Sequence, residues 1–298
     1  MRIHQLAAPF AGSRLAVGAF EKNVEVWDIA SRARLAVYET VLDGGGDRLA
    51  ISASGTHVAA AAYTRQGLVC YDAATGAELW RRKDLRRIQH VVFSASNARV
   101  YCGQDDRSLA IVDADSGDDA AQSLRGIREV WDSPFDLVQL RDPGRARRPH
   151  LVSATGQQIA TFDRLSWALL DAAFAPGQVC ISEPGGPVRC FDVVSGDERW
   201  RYAPRDGAHV LALSATSDCT TFQGVEYSFE SGAEPNRFLR FAADGGAASE
   251  IGTSQRGYPV RAIGSGRWFV LHDGTCIDAV DGTLARAFPF GERGLPDA

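Results

Sequence analysis

Short apolar runs of five or six residues, flanked by polar turn residues, recur along the whole chain and predict β-strands rather than helices. Five of them end alike, with an aromatic or aliphatic residue, then Asp, then a turn. They are Val24-Glu25-Val26-Trp27-Asp28, Leu68-Val69-Cys70-Tyr71-Asp72, Leu109-Ala110-Ile111-Val112-Asp113, Val188-Arg189-Cys190-Phe191-Asp192 and Thr275-Cys276-Ile277-Asp278. A weaker copy is Phe238-Leu239-Arg240-Phe241. Trp27 to Tyr71 is 44 residues, Tyr71 to Val112 is 41, and Val112 to Phe191 is 79, or two periods around a degenerate copy. Phe191 to Phe241 is 50 and Phe241 to Ile277 is 36. Periods of ~40–45 residues with several strands each mark propeller blades. The 298 residues hold seven such periods; eight would be cramped and six would need insertions throughout.

The expected fold is therefore all-β, a seven-bladed β-propeller of four-stranded antiparallel blades. One domain spans 1–298, with blades near 1–42, 43–86, 87–126, 127–166, 167–206, 207–256 and 257–291. In blade 3 the four runs are 88–94, 98–103, 108–113 and 119–124, and in blade 5 they are 168–175, 178–182, 187–192 and 198–203. Blade 4 is the degenerate copy, with strands expected at 127–131 and 135–140 and an insertion over 141–149. Blade 1 owns four runs, near 3–7, 14–20, 24–29 and 35–41, and blade 7 also owns four, so no strand exchange closes the ring.

The turn after each third strand has a physical reason. Blade 2 reads Asp72-Ala73-Ala74-Thr75-Gly76-Ala77-Glu78-Leu79-Trp80, and blade 5 reads Asp192-Val193-Val194-Ser195-Gly196-Asp197-Glu198-Arg199-Trp200. Asp at a turn start accepts backbone N–H groups, and Gly supplies the positive φ that closes the hairpin. Asp113, Ser116 and Gly117 repeat the pattern in blade 3, and Asp278, Asp281 and Gly282 in blade 7.

These residues resemble two related propeller families. Trp27-Asp28 is similar to the dipeptide that ends the third strand of WD repeats. Glu21 and Asp106 stand where those repeats carry an Asp, and His90 and His209 where they often carry a His. The Asp-x-x-Ser/Thr-Gly-x-Glu-x-Trp units resemble quinoprotein repeats, whose Trp docks between blades. The resemblance implies the fold and little of the function, since propellers host unrelated activities.

Composition changes the picture at three points. The net charge of −5 and pI of about 5.7 lack the basic bias of a nucleic-acid binder. Only Lys22 and Lys83 are lysines among 32 basic residues, which suggests a GC-rich, bacterial genome. No apolar run approaches the ~18 residues of a membrane span, and residues 1–6 lack the apolar segment of a signal peptide. A cytoplasmic location without membrane contact is expected.

Cys70, Cys190 and Cys276 share third-strand positions, and Cys102 and Cys180 share second-strand ones. Copies in separate blades lie too far apart to bridge. Cys180 and Cys190, in neighbouring strands, are assigned to opposite faces. Six free thiols in a reducing compartment follow. The six histidines show no ligand spacing, and His90 and His209 read as hydrogen-bonding residues at strand starts.

No G-x-S-x-G, Walker A or H-E-x-x-H motif occurs, and Gly44-Gly45-Gly46 lacks a following G-K-[ST]. Asp171 and Glu129, on inner strands, are a thin basis for a calcium site. No catalytic residue, metal or cofactor is expected. Two basic segments map to the rim where first strands begin: Arg81, Arg82, Lys83, Arg86 and Arg87, and Arg141, Arg145, Arg147 and Arg148. They are the expected partner-binding residues, facing a protein with an acidic surface. One specific version is an immunity protein that caps a toxin. The alternatives are a small-molecule enzyme, hydrolase, lactonase or quinoprotein-like, using the central channel, and nucleic-acid binding through the basic rim.

Overall fold

The computed structural model describes residues 5–9, 12–18, 22–42, 48–63, 65–130, 138–141, 150–153, 155, 157–161, 171–228, 235–245, 248–254, 259–263, 266–285 and 288–290. These residues form seven four-stranded antiparallel sheets, each hydrogen-bonded in chain order. Blade 1 holds β1 (Gln5–Ala7), β2 (Arg14–Gly18), β3 (Asn23–Asp28) and β4 (Arg34–Glu39). Blade 2 holds β5 (Leu49–Ile51), β6 (His57–Ala61), β7 (Leu68–Asp72) and β8 (Glu78–Arg82). Blade 3 holds β9 (Ile88–Phe93), β10 (Arg99–Gln104), β11 (Ser108–Asp113) and β12 (Asp119–Arg125). Blade 4 holds β13 (Ile127–Val130), β14 (Val138–Arg141), β15 (His150–Ser153) and β16 (Gln158–Thr161). Blade 5 holds β17 (Asp171–Ala175), β18 (Gln178–Ser182), β19 (Val188–Asp192) and β20 (Glu198–Tyr202). Blade 6 holds β21 (Ala208–Ala215), β22 (Thr221–Ser228), β23 (Asn236–Ala242) and β24 (Ala248–Ser254). Blade 7 holds β25 (Pro259–Ile263), β26 (Trp268–Leu271), β27 (Cys276–Asp278) and β28 (Leu284–Ala285). The architecture is an all-β propeller of four-stranded antiparallel blades.

The period-2 geometry of a strand explains why the middle strands read as unbroken apolar runs. Each has two buried faces, one per neighbouring blade. In blade 3, Val100, Cys102, Ala110 and Val112 pack against Leu68, Cys70 and Trp80 of blade 2. The alternate residues Tyr101, Leu109 and Ile111 pack against Ile127, Val130 and Val152 of blade 4. The same division builds the seams between blades 1 and 2, 5 and 6, 6 and 7, and 7 and 1. Among the described residues no strand is shared between blades 1 and 7. Instead Trp27 of β3 meets the edges of Phe288 and Phe290, at ring-centroid distances of 5.9 and 5.3 Å.

The turn after each third strand has one geometry in five blades. The N–H of Asp28, Asp72, Asp113, Asp192 and Asp278 donates to the carbonyl five residues on, at 2.8–2.9 Å. The residue four on donates back, from Arg32, Gly76, Gly117, Gly196 and Gly282. Each of those residues has positive φ, between 59° and 78°. Asp72 Oδ1 accepts the Thr75 N–H and hydroxyl at 2.8 and 2.7 Å, and Asp192 Oδ1 accepts the Ser195 N–H at 3.0 Å. The Trp of the same unit crosses to the next blade. Trp80 Nε1 donates to the Ala114 carbonyl at 2.8 Å, and Trp200 Nε1 to the Ala243 carbonyl at 3.2 Å.

One register differs from expectation. Cys180 and Cys190 are direct partners across β18 and β19, and both side chains face the seam with blade 6. They share a face because residues 183–187, with two adjacent glycines, set the pairing parity, and a shift of one residue would reverse it. Both are free thiols, as are the other four cysteines.

Candidate functional site

Second-to-third-strand loops and blade-to-blade loops emerge on one rim of such a propeller. Between blades 2 and 3 three of them are bonded into one surface. The Arg87 N–H donates to the Tyr63 carbonyl at 3.2 Å, and the Asp105 N–H to the Arg87 carbonyl at 2.9 Å. The Arg86 N–H donates to Gln104 Oε1, and the Tyr63 hydroxyl to Asp105 Oδ2, each at 3.2 Å. Arg87 and Arg107 hold positive φ, 52° and 64°, which turns each loop sharply within a short span.

On that surface Lys83, Arg86 and Arg87 are exposed, with Arg65 from the blade 2 loop and Arg107 from the blade 3 loop. Among them Tyr63 is 37% exposed. The Arg48 guanidinium lies over its ring, 5.1 Å from the centroid, and fixes it from below. Three carboxylates share the sector, and each is engaged within the protein. Asp84 takes both arms of Arg82, Asp105 accepts the Tyr63 hydroxyl, and Asp106 accepts the Ser108 N–H and hydroxyl. Those hydrogen bonds, the Ser108 hydroxyl first, hold the Asp106 carboxyl below its ordinary range. Five exposed cations and an aromatic ring thus share these loops with three exposed carboxylates, each hydrogen-bonded within the protein. An arrangement of that kind offers hydrophobic area and guanidinium forks to an acidic protein surface.

Arg81 and Arg82 stand elsewhere than expected. Both belong to β8, the outer strand of blade 2, rather than to the loop. Arg81 forms a two-armed pair with Glu78. Arg82 bonds Asp84, the Gly117 carbonyl at 3.0 Å and Asp119 at 2.8 Å, joining blade 2 to blade 3. Of the second expected segment, Arg141 ends β14, while its side chain and all of Arg145, Arg147 and Arg148 lie outside the described residues. So do Glu21, residues 44–46 and the Glu129 side chain. Tyr63, Arg65 and Arg107 escaped the sequence reading because each stands alone among neutral or acidic neighbours. The signal lay in their loop positions, one period of about 42 residues apart for Tyr63 and Asp105.

The other expected polar residues serve the seams. Asp171 Oδ2 accepts the Leu213 N–H at 2.7 Å, linking β17 to the irregular stretch of β21 at Ala212, where φ is 53°. His209 Nδ1 accepts the Gly185 N–H at 2.9 Å, a hydrogen-bonding role at a strand start. Glu226, wholly buried, accepts the Tyr202 hydroxyl at 2.7 Å and pairs with Arg205 and Arg237. Burial pushes its carboxyl up, but the Tyr202 and Arg205 hydrogen bonds outweigh that and hold it below the ordinary range.

Known propellers share this backbone. The solved structure of KlHsv2 with loop 6CD replaced by a Gly-Ser linker covers 92% of this chain and 91% of its own, at 11% identity and a TM-score of 0.71. The Cps50 (Swd1) β-propeller domain of Myceliophteria thermophila covers 95% of each, at 10% identity and a TM-score of 0.67. BamB from Moraxella catarrhalis covers 95% of this chain and 81% of its own, at 14% identity and a TM-score of 0.59. At such identities the likeness is one of fold. No curated protein sequence matches the chain. A family model does: that of the outer membrane protein assembly factor BamB matches residues 16–202, from β2 to β20. With well over half its length matched, and the inter-blade Trp of the quinoprotein repeat in place, the chain belongs to the BamB-like quinoprotein-repeat propeller family.

Proposed function

We propose that this chain is a non-catalytic interaction propeller that captures an acidic protein partner on the rim of blades 2 and 3. One observation carries the reading: three loops, hydrogen-bonded to one another, expose Tyr63, Arg65, Lys83, Arg86, Arg87 and Arg107. Membership of a family described as an assembly factor is consistent with a partner-binding role. We infer further that the seven sheets close as one ring, the fourth and fifth meeting as the other six seams do. The narrower form is a cytoplasmic protein that caps a toxin, and the six free thiols support a reducing compartment.

The test is the polarisation of a labelled twelve-residue Asp/Glu peptide with a central Tyr. Wild type is expected to bind it, more weakly as salt rises. The triple variant Arg86→Glu, Arg87→Glu, Arg107→Glu should lose binding at least tenfold, while Arg99→Glu, on the opposite rim, should leave it unchanged. Equal binding by all three proteins would remove the rim from the account. Tighter binding to duplex DNA than to the peptide would replace the partner class.

A further inference from the structure

The outer strand of a blade has an unpaired edge, a template for another strand unless something blocks it. The residue nine positions after the turn aspartate lies within that strand. It is Arg81 in blade 2 and Arg201 in blade 5, each ion-paired with the glutamate three residues earlier, Glu78 and Glu198. In blade 3 it is Gln122. In blade 1 it is Val37, 48% exposed, with Leu35 beside it 45% exposed. The residue in the glutamate's place, Arg34, turns inward to Glu25 at 3.4 Å. Among the described residues β4 is the one outer strand with two large exposed aliphatic side chains.

Its backbone faces the right way. The Thr40 N–H donates inward to the Lys22 carbonyl at 2.8 Å, extending the β3–β4 ladder. Alternation then aims the N–H and C=O of Glu39 and Val37 outward. We propose that β4 is a strand-addition site for an extended peptide segment of a partner protein. That segment pairs antiparallel with the edge, sets aliphatic side chains opposite Val37 and Leu35, and places a cation opposite the exposed Glu39. A second copy of the chain is the weaker occupant. Six residues span about 20 Å, and contact along one such edge falls short of the ~800 Å² per partner of a stable interface. This surface is independent of the cationic rim.

The probe is a labelled heptapeptide, Thr-Lys-Thr-Val-Thr-Val-Thr, titrated into the full chain. Saturable binding is expected, weakened more than tenfold by Val37→Arg, which installs the residue that blades 2 and 5 carry. Val37→Thr, neutral and β-branched, should fold as wild type and lose only part of the affinity. Failure of wild type to bind at millimolar peptide, or equal binding by Val37→Arg, would overturn the proposal. So would concentration-dependent dimerisation of wild type that Val37→Arg abolishes, because the edge would then serve a second copy.

Discussion

The aspartate that closes the third strand in five blades is the smallest repeated unit of this molecule. Its carboxylate caps a turn whose fifth residue must take positive φ, and four blades use glycine there. Blade 1 uses Arg32, with φ of 59°. An L-residue in that region costs about 1–2 kcal/mol, partly offset by the freedom glycine regains when unfolded. Arg32→Gly is therefore expected to stabilise the protein by about 0.5–1 kcal/mol in urea titration. These aspartates also make stability depend on acid. Asp192 is held at about 2, first by Arg199 and then by the Ser195 and Val194 N–H groups, and hydroxyls or backbone N–H groups lower Asp28, Asp72 and Asp113. A carboxyl with a depressed folded value adds stability above its unfolded value, near 3.9, and loses it as pH falls through the folded one. Melting temperature should drop between about pH 4 and pH 2, and Asp192→Asn should flatten part of that drop. The four glycine turns were legible because a turn is local; Arg32 and the Arg199 pair were not, because neither carries the glycine signal. The facing of Cys180 and Cys190 was not legible either, since it hangs on the path of residues 183–187.

At the scale of elements, the seams between blades carry the stability. The indoles of Trp80 and Trp200 each fill a seam and each bond a carbonyl of the next blade. Phe fills most of that volume but donates nothing, so the carbonyl loses its partner. Trp80→Phe is expected to cost about 1–2 kcal/mol by urea unfolding, and Trp80→Ala about 3–5 kcal/mol. A cost for Phe equal to that for Ala would show that the hydrogen bond, not packing, sets the seam. The strands themselves were readable to within a few residues: β11 and β18 fall where the apolar runs place them, and β17 fills the described part of its run, whose first three residues lie outside the described residues. Arg81 and Arg82 were misplaced because a basic run carries no mark of where a strand ends. Their fates were set by Glu78, and by Asp119 in the next blade.

Taken whole, the molecule distributes its charges unevenly. The turns of five blades each place an aspartate on one rim, while the opposite rim at blades 2 and 3 carries Lys83 and four arginines beside Asp84, Asp105 and Asp106. A net charge of −5 therefore hides a cationic sector, and a local field of that kind steers an acidic partner. Hydrogen exchange on the complex with a captured partner tests this most directly. The account predicts slowed exchange confined to 62–67, 83–87 and 104–107, lost along with the complex in the triple arginine-to-glutamate variant. Protection of the aspartate turns or of the inner strands instead, with those loops exchanging as in the free protein, would contradict it.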